Sequence, residues 1–158
     1  NKTFVPLLKP AGHIIITTSE LAVLDPLPFT GIYAVTKAAL EKYAYSLRME
    51  VNLLGISVSV IRPGAVRTSL LSDSVTALNR FCNSTKLYHC NAAKFRRIVD
   101  CVETKNVAPE VIAETVCKAL KSCHPKFVYN VNRNVLLKLM NLLPDVLQTA
   151  IIKRILRT

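Results

Sequence analysis

No apolar run in this sequence approaches the ~18 residues that a membrane-spanning helix needs. No Cys-x-x-Cys pair occurs either: Cys82, Cys90, Cys101, Cys117 and Cys123 make an odd five, which suits neither a disulfide framework nor a zinc site. Reduced thiols in a cytoplasmic setting are expected instead. His89 beside Cys90 has no further ligands grouped with it, so no metal site is expected. Glycine occurs four times, at Gly12, Gly31, Gly55 and Gly64, never as a cluster. Acidic residues number 10 against 21 Lys and Arg, for a net charge of +11. The excess lies mostly in residues 71–158, with fourteen bases against six acids, while residues 1–70 have seven against four. These bases are scattered, and few aromatics lie among them to stack on nucleobases, so nucleic acid is not the expected partner. There is no initiator methionine and no signal peptide with a basic lead. The opening Asn1–Pro10 reads as the tail of a helix already under way, and a fragment is expected.

What is present is a globular composition. The 158 residues are 51% hydrophobic and 20% charged, enough for one domain with a real core. Ile14-Ile15-Ile16-Thr17-Thr18 is a short β-branched run suited to a strand buried in a parallel sheet. A proline-rich loop, Glu20–Ile32, follows. From Ala34 to Leu54 the apolar residues Leu40, Tyr43, Ala44, Leu47, Val51 and Leu54 recur at three- and four-residue spacing, which predicts an amphipathic helix stopped by Gly55. Ile56–Ile61 is a second β-branched strand. Strand, long helix and strand make an α/β unit with parallel neighbours.

Within it, Tyr33 and Lys37 stand four apart at the start of the helix and leave one face a turn apart. A free phenol titrates near pH ~10. An ammonium close by favours the phenolate and brings the tyrosine toward the range of general acid/base catalysis. A core tyrosine beside a solvated lysine would use the same two residues, so the pair alone decides nothing. The first strand, however, ends in Thr17, Thr18 and Ser19, and ligands of open α/β sheets sit beyond the carboxyl ends of strands. Ser19 is equally at home as a turn or cap residue. The second strand ends in Arg62-Pro63-Gly64-Ala65-Val66-Arg67-Thr68, where glycine permits close backbone approach. Ser19, Tyr33, Lys37 and the turn from Pro63 to Thr68 therefore fall on one rim.

Residues Ser69–Val107 show poor periodicity apart from a short helical stretch around Ala92–Cys101, as in a functional lid or inserted helical piece. Ala108-Pro109-Glu110 opens a helix that runs to Ser122. Lys126–Val131 alternates as a third strand at a sheet edge. The tail Asn134–Thr158 reads as two helices divided near Pro144-Asp145. Its bases Lys138, Lys153, Arg154 and Arg157 lie among apolar residues, a pattern that covers a pocket, makes a dimer contact or lies on a membrane surface.

Taken in order, Ile15-Ile16-Thr17-Thr18-Ser19, Tyr33-x-x-x-Lys37 with Ala38-Ala39-Leu40-Glu41, Leu47-Arg48-x-Glu50, Gly55-Ile56-x-Val58 and Pro63-Gly64-x-Val66-x-Thr68 resemble the carboxyl-terminal half of a short-chain dehydrogenase/reductase. The resemblance covers residues 1–131. It implies a partial Rossmann-like, doubly wound parallel sheet whose amino-terminal half is absent. It also implies NAD or NADP as cofactor and hydride transfer between an alcohol and its carbonyl. By the same resemblance Tyr33 is the acid/base, Lys37 tunes it and holds the nicotinamide ribose, and Ser19 polarises the substrate oxygen, with Thr18 as a minor claimant. Pro63, Gly64, Val66 and Thr68 match the turn that touches the nicotinamide, residues 69–107 the substrate-binding segment, and 132–158 an added helical tail. The Glu20–Phe29 loop and the hydrophobic tail resemble those of enzymes acting on steroids, retinoids or similar apolar alcohols and ketones.

Two departures stand out. No Gly-x-x-x-Gly-x-Gly turn is present to receive a pyrophosphate on a helix end, and Asn1 lies too close to Ser19 to be the family's catalytic asparagine. The 158 residues alone are therefore expected to be inactive, and a homo-oligomer is expected of the longer form. The competing reading is a non-catalytic truncated module that makes dimer or membrane-surface contacts through its basic apolar tail.

Overall fold

The computed structural model describes residues 3–157, the side chains of 89, 90, 102 and 103 excepted. The His89–Cys90 pair and Asn1 thus lie outside the described groups. The chain folds as two compact units, Asn1–Gly64 with Glu110–Arg133, and Ala65–Pro109 with Asn134–Thr158.

The first unit is a three-stranded parallel sheet in the order β1-β2-β3, with β1 His13–Thr17, β2 Ser57–Pro63 and β3 Val128–Val131. His13 pairs with Ser57 and Thr17 with Ile61, while Val60 faces Val128 and Pro63 faces Val131. The β-branched runs make strands because branched side chains fit the pleat. Val58, Ser59, Val60 and Ile61 of the central strand are buried, whereas Ile14–Ile16 on the flanking strand are half-buried. β3 is shorter than the alternation from Lys126 suggests, since the Lys126 amide donates to the Tyr129 hydroxyl at 3.1 Å and not to a neighbouring strand.

Helix α1, Gly31–Asn52, packs on β2 through the stripe Ala34, Glu41, Ala44, Leu47 and Val51. Leu47 and Val51 join Ile56 and Val58 in the core, with Val5, Leu8, Ile14, Ile16 and Phe127 against them. Each such side chain contributes about 1.5–3 kcal/mol on full burial. Phe127 is gripped from α1, with Tyr45 edge-on at 5.7 Å and the Arg48 guanidinium 5.0 Å above its ring. The helix stops where Gly55 takes φ +70, a left-handed conformation that glycine adopts without steric cost. Ahead of β1 the expected helix tail is a single 3-10 turn, Val5–Leu7; Pro6 and Pro10 each lack the amide that a longer helix would use.

A polar tie runs from β1 across β2 to the segment just before β3. His13 Nε2 lies 2.9 Å from Ser59 Oγ, whose hydroxyl donates to the Lys126 carbonyl at 2.6 Å. With the serine proton spent there, the network assigns the imidazole proton to Nε2. Burial holds His13 below its usual histidine range. Helix α4, Pro109–Leu120, begins with Pro and Glu110 in its first turn as its sequence predicts.

The second unit is helical. Helix α2, Ser69–Ser84, packs against α3, His89–Glu103, and α3 against α6, Asp145–Arg157. Ala92, Phe95 and Leu156 are buried, and Asn91 Nδ2 donates to the Leu156 carbonyl at 2.8 Å. Residues 69–107 are thus two full helices, where the sequence shows only a short helical stretch. The spacing Leu71, Val75, Leu78, Cys82 suits α2, but Ser and Thr crowd the intervening positions. Helix α5, Val135–Met140, is capped by Asn134, whose Oδ1 accepts from the Leu136 and Leu137 amides. Pro144 separates α5 from α6 as expected. No helix among the described residues is long and apolar enough to cross a membrane.

Candidate active site

Helix α1 starts where Thr30 turns the chain, its hydroxyl donating to the Leu27 carbonyl at 2.8 Å. Tyr33 and Lys37 follow within the first two turns. The Lys37 ammonium sits over the Tyr33 ring, 5.6 Å from its centroid, a cation–π arrangement that keeps positive charge beside the phenol. Tyr33 is 40% exposed and Lys37 half-buried. Neither the phenol hydroxyl nor the ammonium makes a hydrogen bond among the described residues, so both have polar capacity to offer a ligand.

Ser19 lies just beyond the end of β1 and is 7% exposed. Its Oγ accepts from the Leu21 amide at 3.2 Å and caps the 3-10 turn Glu20–Ala22. The cap uses a lone pair and leaves the hydroxyl proton free to donate. Thr18 is differently placed. Its hydroxyl points to Glu41 Oε2 at 3.3 Å and the Ile61 carbonyl at 3.4 Å, so it is spent on internal acceptors.

Pro63 ends β2, and the Gly64 amide donates to the Val131 carbonyl at 2.8 Å. A Cβ at Gly64 would collide with the Asn132 carbonyl oxygen and crowd Glu20 Oε1 at 3.1 Å. Glycine is required here by the protein's own backbone. Val66 and Thr68 belong to the second unit. There Val66 bridges Val107, with the Arg67 amide donating to the Val107 carbonyl at 2.9 Å, and the exposed Thr68 precedes α2 with its hydroxyl 3.5 Å from the Val66 carbonyl.

A buried charge pair escaped the sequence reading. Arg62 sends Nη2 to Glu41 Oε1 and Nε to Glu41 Oε2, the latter at 3.0 Å, with side chains 17% and 9% exposed. Burial, and then the nearby charge of Arg133, lower the affinity of Arg62 for its proton. The Nε of Arg133 is itself buried without a partner among the described residues. The sequence carried one hint: Glu41 follows Tyr33 and Lys37 at successive four-residue steps.

Comparison with known proteins bears on the family and the fold. The family described as short chain dehydrogenase matches residues 2–79. Estradiol 17-beta-dehydrogenase 2 of Mus musculus is 35% identical over 69 residues, 44% of this chain and 18% of that protein. The uncharacterized oxidoreductase YusZ of Bacillus subtilis is 28% identical over 141 residues, 88% of this chain and 50% of that protein. A short chain dehydrogenase/reductase from Burkholderia phymatum, solved in complex with NAD, superposes with a TM-score of 0.59 at 20% identity, covering 80% of this chain and 47% of that one. The chain spans half or less of the length of these relatives.

Proposed function

This chain belongs, through residues 2–79, to the short-chain dehydrogenase family, and on that premise we propose that it forms the catalytic part of an NAD(P)-dependent oxidoreductase. The reaction is the interconversion of a primary or secondary alcohol and its carbonyl. The observation that carries this reading is the pairing of Tyr33 with Lys37 at 5.6 Å on α1, in the same unit as a serine with a spare proton at the end of β1.

The donor set fits the nicotinamide end of the cofactor. The Lys37 ammonium and Tyr33 hydroxyl are unengaged donors that would hold ribose hydroxyls, and by the family resemblance Pro63, Gly64, Val66 and Thr68 would hold the nicotinamide. Among the four glycines none forms a turn for the pyrophosphate. When bound, the nicotinamide takes or gives the hydride. Tyr33 exchanges the proton with the substrate oxygen, taking it from an alcohol or giving it to a carbonyl. Ser19 donates its hydroxyl proton to that same oxygen and orients it, because its lone pair is already held by Leu21. Lys37 places a positive charge where a phenolate would form.

The substrate is an apolar alcohol or ketone. The name of the mouse relative points to a steroid as one such molecule, and α2 and α3, within residues 69–107, act as the substrate-binding segment. Residues 132–158 are a helical tail, and the working form is a cytoplasmic homo-oligomer that touches a membrane surface. That contact is supported by Val135, Leu136, Leu142 and Val146, each at least two-thirds exposed, alongside Lys138, Lys153 and Arg157. Turnover of NAD+ or NADP+ with a panel of apolar secondary alcohols, followed at 340 nm on the natural polypeptide that carries these residues, tests the reading. Cofactor reduction that depends on the alcohol is expected; none with any alcohol, and no cofactor oxidation with the matching ketones, would contradict it.

A further inference from the structure

We propose that Glu41 is a positioning residue that holds the three candidate catalytic side chains in register, a role that rests on the reading above. Tyr33, Lys37 and Glu41 form one stripe along α1, each step about 6 Å along the axis. The stripe runs from the surface inward: Tyr33 is 40% exposed and Glu41 7%. At its inner end the carboxylate meets two other chain segments at once. Thr18, adjacent to Ser19, donates its hydroxyl to Oε2 at 3.3 Å. Arg62, which immediately precedes Pro63-Gly64, donates from Nε to the same oxygen at 3.0 Å and from Nη2 to Oε1. One carboxylate thus ties the helix of Tyr33 and Lys37 to the strand end of Ser19 and to the exit of β2.

Stability alone does not call for this arrangement. Taking both charges out of water costs several kcal/mol per ion, and well-packed apolar pairs of similar volume are often as stable or more so. A bidentate fork differs from apolar packing in fixing angle and register. Arg133 sharpens the point. Its charge already bears on Arg62, so without Glu41 the Arg62 guanidinium would lose the carboxylate it is paired with while that repulsion stayed. Glu41 therefore sets where α1 sits against β1 and β2.

Hydrogen–deuterium exchange on this chain tests the proposal without requiring turnover. In the double variant Glu41→Leu/Arg62→Leu the amides of residues 34–40, and those of Leu21 and Ala22, are expected to exchange about tenfold faster or more. Residues 44–52 of the same helix, anchored by Leu47 and Val51, are expected to keep their rates. Thr18→Val, a milder cut, is expected to loosen Leu21 and Ala22 alone. In the turnover assay the double variant is expected to lower kcat at least tenfold, with the KM for cofactor nearly unchanged. Unchanged exchange at residues 34–40 in a folded double variant would overturn the proposal. So would a uniform rise along α1, or a double variant that fails to fold together with unchanged exchange in Thr18→Val. Local loosening as expected, in a protein that shows no alcohol-dependent turnover, would instead leave the tie standing and remove the dehydrogenase reading.

Discussion

Gly64 shows how much can rest on one missing methyl. The Asn132 carbonyl lies where its Cβ would be, and Asn132 itself holds φ at 52, in the left-handed region. Backbone blocks the space, so no rotamer change can relieve the clash. Gly64→Ala is expected to destabilise the fold by about 2 kcal/mol or more, read as a lower urea midpoint at unchanged slope. A wild-type midpoint would mean that the β2 exit and residue 132 do not approach as described. Ser19 carries the opposite lesson. Its cap on Leu21 is the ordinary role of a serine after a strand, and the same geometry leaves its proton available, so the cap is compatible with the proposed chemical use. That Tyr33 and Lys37 lie on one face was legible from their spacing, because i and i+4 share a helix face; the roles proposed for them rest on the ordered blocks of the family resemblance. Glu41 and Arg62 were not, since a pair 21 residues apart on different elements leaves no local pattern.

Among the elements, the strands were legible where branched residues run together, at Ile14–Ile16 and Val58–Ile61, and α1 where its apolar stripe is clean. α2 was missed because Ser69, Ser72, Ser74 and Thr76 dilute its stripe; the hydroxyls of the last three turn back on the helix, Ser72 to Ser69, Ser74 to Leu70 and Thr76 to Ser72, which weakens helix propensity without preventing the helix. The sheet holds a pH-dependent tie. Because burial lowers the His13 pKa from 6.5, the unfolded chain binds a proton below that pH that the folded chain refuses. Stability from this group is therefore full above pH 6.5 and is lost as the pH falls through the folded value. A urea titration at several pH values is expected to show this decline, and His13→Gln is expected to flatten it. An equal decline in the variant would assign the effect to other groups.

For the whole molecule, the +11 net charge and the exposed apolar residues of α5 and α6 support a partner that is both anionic and apolar. Sedimentation with vesicles of phosphatidylcholine and phosphatidylserine is expected to carry the protein down, more weakly as salt rises. Leu136→Asp with Val146→Asp is expected to release it. Retention of that variant, or no binding by the parent, would dismiss the membrane contact and leave the dehydrogenase reading untouched. That reading depends on Tyr33. The most direct measurement is alcohol-dependent cofactor reduction by the natural polypeptide and its Tyr33→Phe variant, side by side with cofactor binding. Tyr33→Phe is expected to lose turnover by about 100-fold or more while still binding NAD(P); turnover within a few-fold of the parent would contradict the assignment of the proton to Tyr33.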